Sequence, residues 1–255
     1  MKIEILGCSG GVAQGLRTTS ILVNDSVLID AGTGVGDLSL KKLMKIEHVF
    51  LTHSHLDHTV GLPLFADTIF QRLIEKPLNI YARKETLIAL QAHVFNDVMW
   101  PDFAKLPSPE KAAIRYVEIQ DSQRVSLQEV VIRAVDVAHA VPSLGYCVES
   151  TGGVFAFSGD TMTNQTLWPV LNAYHNLSVL VIEVSFPNSM EELARQSGHY
   201  CPKTVVRDLA QLNHEPEIWV TAMKPGAEDV IFEEVSLALP ERSLKRLRSG
   251  DTFEL

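Results

Sequence analysis

Short apolar runs, broken by glycine, aspartate and proline, set the pattern of the first third of the chain. Ile3 to Leu6, Ser20 to Val23, Val27 to Ile29 and Val49 to Leu51 read as strands, with Asn24-Asp25 a hairpin turn signal between the second and third. Asp30-Ala31-Gly32 breaks the third strand, and a short helix is expected near Val35 to Leu43. Gly61-Leu62-Pro63 opens a helix-like run to about Ile74, followed by a strand at Leu78 to Tyr81 and helical spacing over Glu85 to Phe95. Between Trp100 and Pro109 three prolines and two aromatics predict an irregular surface segment. Strands return at Val130 to Val137, Gly145 to Glu149 and Val154 to Ser158, then a helix at Leu167 to Tyr174 and a strand at Val179 to Ile182. Pro202 suits the first turn of a helix running to Leu212, Ile218 to Thr221 is the last strong strand, and Glu228 to Leu239 is a helix stopped by Pro240. No repeat or linker interrupts this order, so the expectation is one α/β domain over residues 1–255, two sheet halves with helices outside them.

Composition narrows the class. Of 255 residues, 46% are hydrophobic and 21% charged, as in a globular protein, and no apolar run reaches the roughly 18 to 20 residues that span a bilayer. Ile5-Leu6-Gly7-Cys8 resembles a lipoprotein cleavage site, but the four residues before it leave no room for a signal region, so a cytoplasmic location is expected. Cys8, Cys147 and Cys201 lie far apart without CxxC spacing and read as reduced thiols. A formal charge of −9 disfavours an extended nucleic-acid surface, leaving a small anionic substrate held chiefly by bound metal.

The chemistry concentrates at Thr52-His53-Ser54-His55-Leu56-Asp57-His58, directly behind the strand Val49 to Leu51. Imidazole and carboxylate together suit Zn²⁺, Mn²⁺ or Fe, and this many donors can serve two ions. Further candidates stand where later strands end: His139 after Val130 to Val137, Asp160 in Ser158-Gly159-Asp160-Thr161, Glu183 after Val179 to Ile182, and His199 in Ser197-Gly198-His199-Tyr200. Gly32-Thr33-Gly34-Val35-Gly36 lacks the P-loop lysine and the full Rossmann spacing, and reads as a strand-to-helix turn. Asp30 is a candidate partner for the ligand loop or a simple turn residue. Trp100 and Phe103 are candidates either for stacking on a nucleobase or for local packing.

In order and spacing, His53, His55, Asp57, His58, His139 and Asp160 resemble the ligand set of the metallo-β-lactamase superfamily, over nearly the whole chain. His-Ser-His-Leu-Asp-His followed by Gly61 is similar to the class II cyclic-nucleotide phosphodiesterases. So are Trp100-Pro101-Asp102-Phe103, Pro142-Ser143-Leu144-Gly145-Tyr146 and Glu183-Val184-Ser185-Phe186-Pro187-Asn188. The resemblance implies a four-layer αββα sandwich in which His53, His55 and His139 bind one ion, Asp57 and His58 a second, and Asp160 bridges both. It places Asp57, His199 and Glu183 in the catalytic machinery, His199 beside the scissile phosphate and Glu183 as its orienting partner.

The implied reaction is opening of a 3′,5′-cyclic nucleotide, cAMP or cGMP, to the 5′-monophosphate by hydroxide shared between two divalent ions, Zn²⁺ above all. A homodimer is implied as well. Alternatives are a ribonuclease Z-like RNA processor, disfavoured by the acidic balance, and a binding module without turnover. The last is motivated by one departure: the superfamily supplies a histidine after the final strand, where Val220-Thr221-Ala222-Met223-Lys224-Pro225-Gly226 has Ala222. Alanine cannot coordinate, so the second ion is expected to bind weakly.

Overall fold

A computed structural model describes residues 1–255. The first half runs β1 (Lys2–Gly7), β2 (Ser20–Val23), β3 (Val27–Ile29), α1 (Leu40–Leu43), β4 (His48–Phe50), α2 (Leu56–Thr59) and α3 (Gly61–Thr68). It continues through α4 (Phe70–Glu75), β5 (Leu78–Ala82), α5 (Lys84–His93) and β6 (Ile114–Glu118). The second half holds β7 (Arg124–Leu127), β8 (Val130–Val137), β9 (Ser143–Glu149), β10 (Val154–Phe157), α6 (Leu167–Asn172) and β11 (Leu177–Glu183). After it come α7 (Glu191–Ser197), α8 (Pro202–Leu209), β12 (Glu217–Thr221), α9 (Glu228–Ala238), β13 (Leu244–Arg246) and β14 (Thr252–Glu254).

The strands form two seven-stranded sheets, ordered β14-β1-β2-β3-β4-β5-β6 and β13-β12-β11-β10-β9-β8-β7. Each is antiparallel on one side and parallel on the other. The change of sense falls at β3 in the first sheet and at β10 in the second. Parallel neighbours need crossover helices, and these cover the outer faces.

Strand periodicity then makes three apolar layers. Along β11, Val179 and Val181 face the layer between the sheets, while Leu180 and Ile182 face Trp168 and Val205 outside. Along β4, Phe50 faces the middle and Val49 faces Leu62 and Phe65 of α3. The result is the αββα sandwich.

The short helix expected near Val35 to Leu43 is a 3₁₀ turn, Thr33–Asp37, followed by α1. Gly32 and Gly61 explain the turn: a Cβ on Gly32 would lie 2.3 Å from the Asp57 carbonyl oxygen, and one on Gly61 2.5 Å from the Gly32 oxygen. These glycines let the ligand loop and α3 pack directly on the end of β3, a packing role rather than a phosphate-binding one. Trp100 and Phe103 settle on the packing side, because Phe103 is buried with Phe70 and Phe95 at 5.0 and 6.0 Å and Trp100 packs against the same core. No helix is long and apolar enough to cross a membrane.

Candidate metal centre

All the candidate donors but His199 sit at or just beyond the end of a strand. His53 and His55 lie in the loop after β4, whereas Asp57 and His58 ride on the single helical turn α2. His139 follows β8, Asp160 follows β10, Glu183 ends β11 and His199 follows α7. These loops are tied together. Leu144 N–H donates to the Thr52 carbonyl, and the buried Tyr146 hydroxyl donates to that of Leu51 at 2.7 Å. Met162 N–H and the Thr161 hydroxyl both donate to the Ala138 carbonyl, locking the Asp160 loop to the His139 loop.

Three compact donor groups result, each with its ligating atoms within 4.8 Å of one another: His53, His55 and His139; His53, His58 and Asp160; His139, Asp160 and His199. Asp57 is in none of them. It stands at the rim, its carboxylate one-third exposed and 3.9 Å from His58 Nε2.

Hydrogen bonds fix which ring nitrogens face inward. His53 Nδ1 meets the Thr52 hydroxyl at 2.9 Å, His58 Nδ1 meets Asp30 Oδ2 at 2.7 Å, and His139 Nδ1 meets the Gly198 carbonyl at 2.8 Å. In a neutral ring each of these nitrogens donates to oxygen and leaves the lone pair on the opposite Nε2, the form that binds metal. His139 Nε2 and His55 Nδ1 then face each other at 3.2 Å, and His58 Nε2 lies 3.3 Å from Asp160 Oδ2. His53 Nε2 and Asp160 Oδ1 are buried without any partner. Unpartnered buried acceptors are costly, and lone pairs aimed at a common point are what a cation satisfies. The residues present therefore fit divalent metal.

Burial opposes charge on His58, but Asp160 and then Asp30 outweigh it and raise this imidazole well above its ordinary value. Burial, then the neighbouring His58, pushes the His53 imidazole well below its ordinary value, so it stays neutral. Burial and then His139 lower His55. Burial works against a carboxylate at Asp160, yet His58 and the other imidazoles outweigh it and hold the group well below the usual range. Asp30 is fully buried and is raised by that burial against the opposing pull of His58 and Thr52. Its partnership with Thr52 N–H, the Thr52 hydroxyl and His58 makes it a brace of the ligand loop rather than a plain turn residue.

His199 occupies one wall of the cluster. Its Nδ1 lies 2.9 Å from Glu183 Oε1, 3.2 Å from the Ser185 hydroxyl and 4.0 Å from Asp160 Oδ2. Burial opposes charge on this ring, but Glu183 and then Asp160 outweigh it and raise His199 above its ordinary value. Glu183 is wholly buried and accepts from Thr161 N–H, His199 and the Ser185 hydroxyl, so it touches no solute and acts by holding His199. Ser185 and Gly198 are contributors that strand-end reasoning missed. The signal that could have found Gly198 is a glycine ending a helix, but α7 was not foreseen, and Ser185 figured only inside the Glu183-to-Asn188 motif.

Ala222 is buried at φ 58°, and its carbonyl lies 3.1 Å from the Ser185 hydroxyl. It therefore flanks the His199 side of the cluster. His214 lies elsewhere, bonded to the Asn172 carbonyl.

Comparison with known proteins places this geometry in a lineage. Residues 25–220 match the beta-lactamase superfamily domain. A probable 3′,5′-cyclic-nucleotide phosphodiesterase of Yersinia pestis is 24% identical, with 83% of this chain and 72% of that protein covered. A ribonuclease Z of Metallosphaera sedula is 28% identical, but the match covers 58% of this chain and only 48% of that protein. The crystal structure of unliganded yeast PDE1 superposes with a TM-score of 0.82 at 19% identity, covering 100% of this chain and 99% of that one. With the sandwich and the domain match in agreement, the chain belongs to the metallo-β-lactamase superfamily of metal-dependent hydrolases.

Proposed function

We propose that the protein hydrolyses 3′,5′-cyclic nucleotides to 5′-monophosphates, with two divalent ions, Zn²⁺ above all. His53, His55 and His139 would hold one ion, His58 and Asp57 the other, and Asp160 would serve both. Bound there, such ions supply Lewis-acid polarisation of a phosphoryl oxygen and activation of water at neutral pH. The observation that carries the reading is the placement of His199, which stands in one donor group with His139 and Asp160 while its Nδ1 is fixed by Glu183. With Nδ1–H committed to Glu183, any proton that His199 delivers leaves from Nε2. A phosphate ester needs such a proton on its departing alkoxide.

The cyclic-nucleotide substrate is supported by phosphodiesterase relatives that align over more than two-thirds of both chains, in Yersinia pestis and Aliivibrio fischeri. The ribonuclease Z reading is favoured by higher identity, 28–32%, but over about half or less of those relatives' length. A net charge of −9 also weighs against gripping RNA phosphates.

The test is hydrolysis of cAMP, cGMP, a bis-aryl phosphodiester and pre-tRNA by metal-loaded protein in ¹⁸O-labelled water. The 5′-monophosphate carrying label on phosphorus is expected. His199→Ala should lower kcat by about 10²- to 10⁴-fold while metal content holds. Clean pre-tRNA cleavage with no cyclic-nucleotide hydrolysis would move the protein to the RNA-processing class, and predominant 3′-monophosphate would reverse the assigned leaving group.

A further inference from the structure

His199 has a second side. It also lines a cavity of about 280 Å³ together with Met162, Thr163, Ala194, Thr204 and Arg207, with Glu191 and Arg195 at its walls. Whole-ligand sites run to roughly 300–1,000 Å³, so this cavity suits part of a substrate. We infer that it receives the nucleoside portion of the substrate, with the Arg207 guanidinium as the platform for the base and the determinant of nucleotide specificity. The inference rests on the phosphodiesterase reading above and adds to it the residues that recognise the nucleotide.

Charge decides between a nucleoside and a second phosphate. Arg195 is bound through two nitrogens to Glu192, Glu191 is paired with Lys203 at 2.9 Å, and Arg207 Nε lies 3.4 Å from Asp208 Oδ1. Each formal charge at the cavity is thus already matched, which leaves no surplus positive charge for a further phosphate. What remains is shape and planarity.

Arg207 is held by its edges. Nη2 donates to the Thr163 hydroxyl at 2.7 Å, Nε is turned to Asp208, and buried Asp208 is itself fixed by the Tyr200 hydroxyl at 2.8 Å. A guanidinium anchored in its own plane keeps its faces free, and those faces stack on aromatic rings, nucleobases included. Met162 and Ala194 add apolar surface. A nucleotide whose phosphate lies at the donor cluster would pass His199 and place its base here.

The test compares Arg207→Ala, Arg207→Lys and Thr163→Val with the unchanged, metal-loaded protein. Two substrates are used, cAMP and ribose 3′,5′-cyclic phosphate without a base, with calorimetric binding of 5′-AMP as a separate readout. Arg207→Ala should raise the KM for cAMP and weaken 5′-AMP by about 5- to 30-fold, the loss of one stacking contact of about 1–2 kcal/mol. The KM for the cyclic phosphate without a base and the metal content should be unaffected. Thr163→Val should reproduce part of the effect, and Arg207→Lys should not rescue it, because an ammonium has no face to stack. Equal KM changes for both substrates, or none for either, would overturn the inference while leaving the phosphodiesterase reading intact. Hydrolysis of neither cyclic phosphate, with no 5′-AMP binding, by the unchanged protein would instead overturn both.

Discussion

Asp30 takes up the left-handed region at φ 57° with its side chain wholly buried, a costly pairing that its bonds to Thr52 and His58 explain. By fixing Nδ1 of His58 it aims Nε2 at Asp160. Asp30→Ala should therefore weaken metal binding by about 10- to 100-fold, read by competition with a chromogenic chelator. Unchanged affinity would reduce Asp30 to a turn residue. Ala222 poses the opposite case, an unhelpful side chain in a demanding conformation, again left-handed at φ 58°. Histidine is among the residues enriched there. Ala222→His should thus be accommodated and should tighten the weaker of two ions, raising bound metal per chain at limiting supply. Equal tight occupancy of both sites before the substitution would contradict the account. Most donors were legible as residues because imidazole and carboxylate clusters are rare at such spacing. Ser185 was not, since a serine announces nothing until its neighbours in space are known.

Among the elements, α7 shows why some structure escapes sequence reading. Its seven residues carry Glu191 and Glu192 in the first turn and end at Gly198 in the left-handed conformation at φ 76°, yet they expose most side chains and so lack an apolar stripe. The strands β6, β7, β13 and β14 escaped for related reasons. β7 joins β8 through Gln128-Glu129, which has none of the Asn-Gly chemistry of a tight hairpin, and β13 is Leu-Lys-Arg at a sheet edge. Long apolar strands such as β8 and β11 were plain. The end of α7 is nonetheless critical. A Cβ on Gly198 would lie 2.6 Å from Ala140 N and 3.1 Å from His139 Nδ1. Gly198→Ala should lower unfolding free energy by about 2–4 kcal/mol and weaken metal binding at the His139 site, as measured by urea titration and metal analysis. A stability loss with metal affinity intact would show that the His139 contact is dispensable.

For the whole molecule, the two sheets share a strand order that changes sense at β3 and again at β10, though no repeat is visible in the residues. Backbone pairing carries this duplication, and backbone pairing tolerates almost any apolar side chain that fits. The middle layer joins the halves: Phe50 of the first sheet stacks on Tyr81 at 4.3 Å and meets Tyr146 of the second edge-on at 5.6 Å. Phe50→Ala should cost about 3–5 kcal/mol and shift one unfolding transition common to all probes. Two separated transitions would show sheets that fold independently, against the expectation of a single domain.

Gly198 does more than end a helix. Its carbonyl steers His139, and the next residue in the chain is His199. One peptide unit thus joins the residue proposed to grip an ion to the residue proposed to handle a proton. Ions of different radius would seat His139 differently, and this peptide would pass that difference to the His199 ring. Exchanging one divalent ion for another should then retune the timing of proton delivery as well as the strength of electrophilic pull, through a route that never touches the substrate.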